Sequence, residues 1–554
     1  MASSHGIRCG LRGKLALATL IPIGLLAGLE LAIRVGGGLE RPPEADPFVG
    51  FLGNVPLFWL DTSLPEAERV WRLTSSRAAK FFPVTVRAAK PARTFRIFCL
   101  GGSAAQGWPH APRFAYPAYL QEILSANDPT HHYEVVNLGG HTYASYRIAG
   151  VLEEILHLDP DLVVVHSGNN EFLEKRYYRD AIKRPWAHRL SSVLGHLHVY
   201  RLVEKVERRL RDSLGSKDAL GASPLDGDAG QAHRRQYALK ETLELRRDPV
   251  QMQRLIEHYR YNLTRMQELC RESAVPLVFC TVPVNLKDWP PNHSLHRQDL
   301  SPSEAARCDA WLEAAEKAAT PQETLEACER ALAIDDGFAG AHYLQGQALL
   351  ALGEQAAAKP AFERARDEDQ LPFRALGAMN AVVRRLGEEL PVAVLDLEMI
   401  FANEAAFGIP GDDLFIDYVH PTMRANQLIA RRLARLLVDR GLLPAATTTP
   451  PEEVPLLDDS SYYENDVTFL RALGFLYLEF GRYDRARAKY ARLLELPLDP
   501  QDRALFELCI SKLDAQLSSP RSGELSDAFK EFLEAIVFGS SEFRREYLKR
   551  ELGR

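Results

Sequence analysis

Cysteine is scarce in this chain, and no two cysteines have the spacing of a metal-binding pair. Seven cysteines are distributed over 554 residues and none forms a Cys-x-x-Cys motif. We therefore expect neither a disulfide framework nor a structural zinc site. Basic charge is not in excess either, because 74 acidic residues against 67 lysines and arginines leave a net charge of −7. Since nucleic-acid-binding proteins are usually basic, nucleic acid is not an expected partner.

Long hydrophobic runs are also missing, with one exception near the N-terminus. Residues 15–29 are uncharged and mostly apolar, and they follow Arg8, Arg12 and Lys14. The run is about the minimum for a membrane span, which needs roughly 17–25 residues. Its basic leading flank predicts a cytoplasmic N-terminus and places the rest of the chain outside the cytoplasm, on the periplasmic side. We favour a single-pass membrane anchor over residues 1–38, and a cleaved signal peptide is the alternative.

An α/β pattern begins after residue 93. Apolar, β-prone runs are separated by helical patterns such as 116–126, 145–157 and 250–272. The predicted strands are 95–100, 133–138, 162–166, 275–280 and 392–397. Strands that alternate with helices predict a parallel sheet covered on both faces. We assign this α/β domain to residues 94–301 and 389–440.

The segments around and within this domain differ from it in pattern. Residues 39–93 are Pro-rich and indicate a membrane-proximal stalk or a sheet extension. Residues 173–247 hold charged helical stretches around a loop rich in Gly, Ser, Asp and Ala, and they are interpreted either as a lid or as a peripheral helical bulge. Residues 302–388 and 455–554 are helical.

Both helical regions contain small and aromatic residues at recurring offsets. The first set is Gly346, Leu349, Gly353, Ala358, Phe362 and Ala365, and the second is Gly474, Tyr477, Gly481, Ala486 and Tyr490. Both sets resemble tetratricopeptide repeats, in which small residues let paired helices approach each other. Pro360 departs from this pattern and weakens the case for a regular second helix. The repeats are expected to shape the fold or the pocket, with a protein partner as the alternative.

A serine follows the first predicted strand. Gly101 and Gly102 end the strand 95–100 sharply, and Ser103 comes next. A serine there projects from the carboxyl edge of a sheet, where open α/β folds bind their ligands. Ser103 is therefore a candidate nucleophile, and a plain helix N-cap is the alternative.

A possible base for this serine lies far downstream. A serine hydroxyl is a poor nucleophile until a base takes its proton. His420 can serve as that base, and Asp417 can orient the imidazole and select its tautomer. An Asp-x-x-His pair also occurs often by chance, so the spacing alone has little weight.

Oxyanion donors are predicted at the ends of the next two strands. Acyl transfer needs N–H groups directed at the developing negative charge. Gly139 follows the second strand and offers a backbone N–H, and Asn170 follows the third strand and offers a side-chain amide. Both lie at the sheet edge that Ser103 occupies.

The order of these parts resembles the SGNH, or GDSL-type, hydrolase family. That resemblance implies a flavodoxin-like three-layer α/β/α sandwich in which the nucleophile is Ser103, the base His420 and its orienter Asp417. It further implies an oxyanion hole formed by the following groups: the N–H of Ser103, the N–H of Gly139 and the amide of Asn170. Two positions depart from the family pattern. Gly102 replaces an aspartate, and Glu171 replaces another and is interpreted as a helix N-terminal charge.

Several further residues are weaker candidates. Asn285 follows the fourth strand and is expected to contact substrate. Arg374 either binds an anionic group of the substrate or forms a structural ion pair. His110 has no ligand-like spacing and is expected at the surface. Neither a metal nor a cofactor is expected.

The sequence thus favours a membrane-anchored serine esterase or O-acyl(acetyl) transferase. The expected substrate bears an ester bond and belongs to an extracytoplasmic glycan or another envelope component. The alternative is a non-catalytic binding or assembly protein that recruits protein partners through its helical repeats. The acyl group, the acceptor and the choice between hydrolysis and transfer are not readable from the residues.

Overall fold

The computed structural model describes most of the chain downstream of residue 55. The described residues are 24, 26–35, 56–78, 80–172, 197–199, 202, 247–444, 453–459, 461–518, 525–538 and 541–552. The chain divides into two compact units, one with residues 1–55 and 178–223 and the other with residues 56–177 and 224–554. In the first unit residues 26–35 are helical, and the N–H of Val199 donates to Glu30 at 2.9 Å.

Two predictions fall largely on residues outside these ranges. Most of the predicted anchor, 15–29, and nearly all of the predicted lid segment, 173–247, lie outside the described residues. Within the described ranges, no helix combines the length and the apolar character that a membrane span requires. Membrane anchoring stays a prediction.

The second unit begins with a small antiparallel sheet. Its strands are β1 (Phe58–Leu60), β2 (Val70–Leu73) and β3 (Thr85–Arg87), paired in the order β1-β2-β3. This sheet occupies part of the predicted stalk segment 39–93, so the described end of that segment has β structure.

The central sheet has five parallel strands, as the sequence predicts. They are β4 (Thr94–Gly101), β5 (His132–Gly139), β6 (Leu162–His166), β7 (Leu277–Cys280) and β8 (Ala393–Leu395). The spatial order is β5-β4-β6-β7-β8, which numbered within this sheet is the flavodoxin-like order 2-1-3-4-5. Every residue of β6 is buried, which is typical of a strand covered on both faces. The fold is therefore α/β with a parallel sheet.

The strand register places the functional ends of the strands together. Gly101 at the end of β4 pairs with Gly139 on one side and with His166 on the other. His166 in turn pairs with Cys280. The carboxyl ends of four neighbouring strand segments therefore share one sheet edge.

Eighteen α-helices occur in the described part of the second unit. In chain order they are α1 (Ser75–Ala78), α2 (Ser103–Gln106), α3 (Tyr116–Asn127), α4 (Ser145–Ile155), α5 (Pro249–Glu272), α6 (Pro302–Lys317), α7 (Pro321–Leu332), α8 (Ala339–Ala351), α9 (Gln355–Asp367), α10 (Gly377–Glu389), α11 (Leu397–Glu404), α12 (Met423–Asp439), α13 (Tyr462–Asn465), α14 (Val467–Glu479), α15 (Tyr483–Leu494), α16 (Pro500–Leu517), α17 (Asp527–Leu533) and α18 (Ser541–Leu552).

The helices that flank the sheet form two groups. Helix α3 packs against α12, and α5 packs against both α4 and α10. The connection from β4 to β5 and the connection from β5 to β6 run in opposite directions along the sheet. Since such crossovers are right-handed, α3 and α4 cover opposite faces. Cys99 and Cys280 are buried in the sheet as core residues.

The predicted insertion 302–388 consists of two parts. Helices α6 to α9 form two consecutive helix pairs, and α6 and α7 each begin with a capping box, at Ser301 and at Thr320. Helix α10 lies inside the predicted range but packs against α5 and β8. The helical insertion proper therefore ends before α10.

The two helix pairs that resemble repeats share one packing contact. A Cβ at Gly346 of α8 would lie 2.9 Å from the ring of Phe362 in α9, and a Cβ at Gly474 of α14 would lie 2.7 Å from the ring of Tyr490 in α15. Glycine lets the aromatic ring of the second helix approach the first in both pairs. Helix α9 continues through Pro360. Membership of the repeat family stays a prediction.

Candidate active site

Ser103 is the first residue of α2 and follows β4 through two closely packed glycines. A Cβ at Gly101 would lie 2.2 Å from the carbonyl oxygen of His166, and a Cβ at Gly102 would lie 2.6 Å from Nδ2 of Asn170. Only glycine fits such approaches without displacing a neighbour. The family resemblance leads us to expect an aspartate at position 102. Its Cβ would clash with the side chain of Asn170.

His420 and Asp417 meet this serine in an unbroken hydrogen-bonded chain. Nε2 of His420 lies 2.8 Å from Oγ of Ser103. Nδ1 of His420 lies 2.5 Å from Oδ2 of Asp417. The ionised carboxylate can only accept, so Nδ1 carries a proton and Nε2 of the neutral ring is free to accept one from Ser103. This is the geometry of an activated nucleophile, its base and the group that orients the base.

The three side chains differ little in burial. Asp417 and His420 have relative exposures of 0% and 1%, and Ser103 has 9%. The second carboxylate oxygen of Asp417 accepts the N–H groups of Val419 and His420, each at 2.8 Å. The Asp-x-x-His spacing therefore folds locally into a turn in which one carboxylate holds both the backbone and the ring of the histidine.

Aromatic side chains enclose the His420 ring. The ring of Trp108 lies 4.8 Å from it, and the ring of Tyr418 lies 5.9 Å from it in an edge contact. His110 lies behind this group and its Nε2 is 3.0 Å from the carbonyl oxygen of Pro421. The expectation that His110 is a surface residue is wrong, because only 2% of it is exposed. Burial lowers the pKa of His110 to about 4.

Asn170 lies beside the residue that precedes the serine. Its Nδ2 donates to the carbonyl oxygen of Tyr143 at 3.0 Å. A side-chain amide has two hydrogens, so one remains for another acceptor. The position of this amide next to Gly102 fits its predicted role as an oxyanion donor to a carbonyl attacked by Ser103.

Gly139 has a different local role from the predicted one. Its N–H donates to Oδ1 of Asn137 at 3.0 Å. A Cβ at this position would lie 2.2 Å from the backbone nitrogen of Gln106. The glycine therefore lets β5 pack closely against α2, while its N–H already has an acceptor inside the protein. The prediction that this N–H lines the oxyanion hole needs revision on this ground.

Thr142 is a residue that the sequence reasoning missed. Its φ of 65° lies in the left-handed region, which is uncommon for a residue other than glycine. Within the described residues, no acceptor is recorded for its backbone N–H. The ring of the preceding His141 lies 5.5 Å from the ring of Trp108 in a tilted contact, and the carbonyl oxygen of the following Tyr143 accepts from the Asn170 amide. No sequence signal marks a threonine for this conformation.

Glu171 is a buried carboxylate at the N-terminus of α4. It accepts the backbone N–H of Ser145 at 2.8 Å and the hydroxyl of Ser145 at 2.7 Å. Burial raises the pKa of Glu171 to about 7. These bonds agree with its interpretation as a helix N-terminal charge, and they fix the segment that follows Thr142.

The two weaker candidates lie within the protein. Asn285 is fully buried and its Nδ2 donates to the carbonyl oxygen of Asp417 at 2.9 Å. Nη1 of Arg374 donates to the carbonyl oxygens of Asn285 at 2.8 Å and of Trp289 at 2.7 Å. The expectation that Asn285 contacts substrate is corrected accordingly. For Arg374 the structure agrees with the alternative of a structural ion pair, because its Nη2 lies 3.9 Å from Oδ2 of buried Asp369. Both side chains are used to hold backbone, because each binds carbonyl groups that would otherwise be buried without a donor.

Clusters of side chains that could bind a metal ion do not occur in the parts of the chain that the structure covers. Within those ranges no set of three or more His, Cys, Asp or Glu side chains lies close enough together to hold an ion.

Comparisons with known proteins give weak similarities. No family model matches the chain, and no curated protein matches it. Among solved structures it is similar to a GDSL-like lipase from Bacteroides thetaiotaomicron, with 11% identity, a TM-score of 0.27, and coverage of 62% of this chain and 88% of that one.

Two further solved structures give similar values. A protein assigned to the lipolytic G-D-S-L family from Desulfitobacterium hafniense has 11% identity, a TM-score of 0.26 and coverage of 62% and 99%. A protein assigned as an acylhydrolase from Bacteroides fragilis has 12% identity, a TM-score of 0.27 and coverage of 64% and 90%. Similarity this low does not define a family, and the case for function rests on the geometry around Ser103.

Proposed function

We propose that this chain is a serine esterase or O-acyl transferase that works through an acyl-enzyme on Ser103. The observation that supports this is the hydrogen-bonded chain from Oγ of Ser103 through His420 to Asp417, with distances of 2.8 and 2.5 Å. Ser103 lies more than 300 positions away from both Asp417 and His420 in the sequence. A structural role alone gives no reason for a serine, a histidine and an aspartate to meet in this order.

The proposed reaction begins with attack of Ser103 on an ester carbonyl. His420 takes the hydroxyl proton as the Oγ–C bond forms, and Asp417 stabilises the imidazolium that results. The imidazolium then gives its proton to the leaving alcohol oxygen as the ester C–O bond breaks. Water or an acceptor hydroxyl attacks the acyl-enzyme in the second half, with His420 again as base. The choice of acceptor decides between hydrolysis and transfer.

Three donors are proposed to stabilise the oxyanion. The N–H of Ser103 stands at the start of α2, and no acceptor for it is recorded within the described residues. Asn170 supplies its second amide hydrogen. We assign the third donor to the N–H of Thr142 in place of Gly139, because the N–H of Gly139 already donates to Asn137.

Active-site labelling tests the nucleophile. The purified chain should react with a fluorophosphonate probe and hydrolyse p-nitrophenyl acetate, and Ser103→Ala should do neither. Ser145→Ala is a matched control, because Ser145 is also a buried serine that begins a helix but contacts Glu171. A wild-type chain that is not labelled, or a Ser103→Ala variant labelled equally well, would disprove the assignment.

Backbone ester substitution tests the third oxyanion donor. Replacing the amide of Thr142 by an ester removes one N–H and keeps the side chain. We expect kcat to fall by about 10²- to 10³-fold, the loss typical of one oxyanion donor. The same replacement at Gly139 should lower kcat much less. The reverse order of effects would restore Gly139 as the donor.

The substrate and the location are proposed from the sequence. The predicted N-terminal anchor supports an extracytoplasmic acylated glycan as substrate. Acetyl is proposed as the transferred group because the Gly-Gly-Ser variant at 101–103 resembles that of membrane-anchored envelope members of the SGNH family, which move acetyl groups on polysaccharides. Hydrolysis of short and long p-nitrophenyl esters, beside release of acetate from an acetylated polysaccharide, tests this. Strong activity on long acyl chains with none on acetyl would refute the acetyl preference.

A further inference from the structure

The loop that presents Asp417 and His420 is held from outside the α/β domain. We call residues 411–420 the catalytic loop and α14 with α15 the C-terminal helix pair. Helices α14 and α15 belong to the predicted repeat region 455–554, which is far from the sheet in sequence. Three separate routes of contact connect this pair to the loop.

The first route is a buried tyrosine of α14. Oη of Tyr477 donates to the carbonyl oxygen of Ile416 at 2.6 Å. Ile416 directly precedes Asp417, and Tyr477 is only 4% exposed. If this hydrogen bond were broken, the partly buried carbonyl of Ile416 would lose this donor, which is costly. The bond therefore fixes the peptide next to Asp417 and restricts where the Asp417 carboxylate can lie.

The second route passes through a buried asparagine. Nδ2 of Asn285 donates both to the carbonyl oxygen of Asp417 and to Oδ1 of Asp412, each at 2.9 Å. The other oxygen of Asp412 is 2.8 Å from Nη2 of Arg485 in α15. A continuous chain of polar contacts therefore leads from the C-terminal helix pair to the backbone of Asp417.

The third route is a cluster of aromatic rings. Tyr418 lies 4.8 Å from Phe480 and 5.4 Å from Trp289, and its edge reaches His420 at 5.9 Å. The guanidinium of Arg482 lies 4.8 Å above the ring of Trp289. Phe480 and Arg482 belong to the end of α14 and the turn to α15. This turn therefore packs against Tyr418, one of the rings that enclose the histidine, and against Trp289, which contacts Tyr418.

We infer that the C-terminal helix pair is part of the catalytic unit, in which Tyr477, Arg485 and Asn285 act as positioning residues for the Asp417–His420 loop. This inference rests on the proposed esterase or transferase function. It gives the helix pair a role other than, or in addition to, recruitment of a protein partner. A displacement of about 1 Å in a catalytic group can lower a rate by about 10²-fold, so loosening the loop should lower kcat.

Two pairs of variants test the inference. Tyr477→Phe removes the donor to Ile416 and keeps the ring. Tyr490→Phe is its control, because Tyr490 is a buried tyrosine of the same helix pair whose hydroxyl has no hydrogen-bond partner among the described residues. Arg485→Met removes the contact with Asp412, and Arg487→Met is its control, because Arg487 pairs with Asp514 of α16. Each control changes the same kind of side chain without touching the catalytic loop.

The first readout is steady-state kinetics on p-nitrophenyl acetate. We expect kcat to fall by about tenfold in Tyr477→Phe and a few-fold in Arg485→Met, with KM within about twofold, because neither change removes a group at Ser103. Both controls should keep the wild-type kcat. Equal kcat values in each variant and its control would overturn the inference.

The second readout does not depend on activity. The N–H groups of Val419 and His420 donate to Asp417, so their hydrogen exchange reports the order of the loop. Exchange should be faster in Tyr477→Phe and Arg485→Met than in the two controls. If the wild-type chain does not react with the fluorophosphonate probe, the proposed function is refuted. The hydrogen-exchange comparison would still decide whether the helix pair holds the loop. Unchanged exchange would refute that role.

Discussion

Replacing His166 by methionine should reduce the loss of stability that the protein suffers on acidification. His166 ends β6 and is 3% exposed. Among the residues that the structure describes, neither ring nitrogen has a hydrogen-bond partner, and the ring of Tyr116 lies 6.1 Å away. Burial lowers the pKa of His166 to about 4. An imidazolium at this position would be a charge without a partner.

The sign and size of the effect follow from proton linkage. The unfolded chain binds the proton near pH 6.5, while the folded chain binds it only near pH 4. Between these values the unfolded state holds more protons, so the free energy of unfolding falls as the pH falls. Each pH unit below 6.5 costs about 1.4 kcal/mol, so the loss at pH 5 is about 2 kcal/mol.

Urea unfolding at pH 7 and pH 5 measures this difference. The wild type should lose about 2 kcal/mol more than His166→Met between the two conditions. Other groups that titrate in this range, such as Glu171, contribute equally to both proteins and cancel. His132→Met is a suitable control, because His132 is exposed at the start of β5. If His166→Met loses as much stability as the wild type, protonation of this histidine is not what acid disrupts.

Three further substitutions test the packing and chemistry of the site. Gly102→Ala places a Cβ 2.6 Å from Nδ2 of Asn170. Because this displaces the Asn170 amide from the oxyanion, kcat should fall by about 10²-fold. A wild-type kcat would show that Asn170 is not an oxyanion donor. The Cβ of Gly139→Ala would lie 2.2 Å from the backbone nitrogen of Gln106. The free energy of unfolding, measured with urea, should therefore fall by about 1–3 kcal/mol, and an unchanged value would contradict the close approach. Asp417→Asn should lower kcat by roughly 10⁴-fold at an unchanged melting temperature, whereas a loss below tenfold would exclude this residue as the orienter.

The sheet was readable from the sequence because burial imposes local patterns. A parallel strand that is covered on both faces needs a continuous apolar run, and a turn at its carboxyl end needs glycine. Strands 95–100 and 133–138 were therefore predicted to within one residue of β4 and β5. Ser103 was singled out by the same logic, since it follows the first of these runs.

The roles of individual polar groups were less predictable. The sequence suggests that the N–H of Gly139 is a free donor, yet in the structure it donates to the side-chain oxygen of Asn137. Thr142 has a left-handed φ that only the surrounding structure can impose on a threonine. Asn285 looked like a substrate contact because it follows a strand, but it binds Asp417 across 132 positions of the chain.

The sequence by itself determined the α/β alternation, the glycine turn before Ser103 and the Asp-x-x-His spacing, because each depends on neighbours a few residues apart. Tertiary structure decided which N–H groups remain free, how the catalytic loop is held and what the helices of residues 455–554 contact. The catalytic loop, for example, is held by hydrogen bonds between residues that lie 61 to 132 positions apart in the chain. Such pairings leave no periodicity in a single chain, so only the folded arrangement shows them.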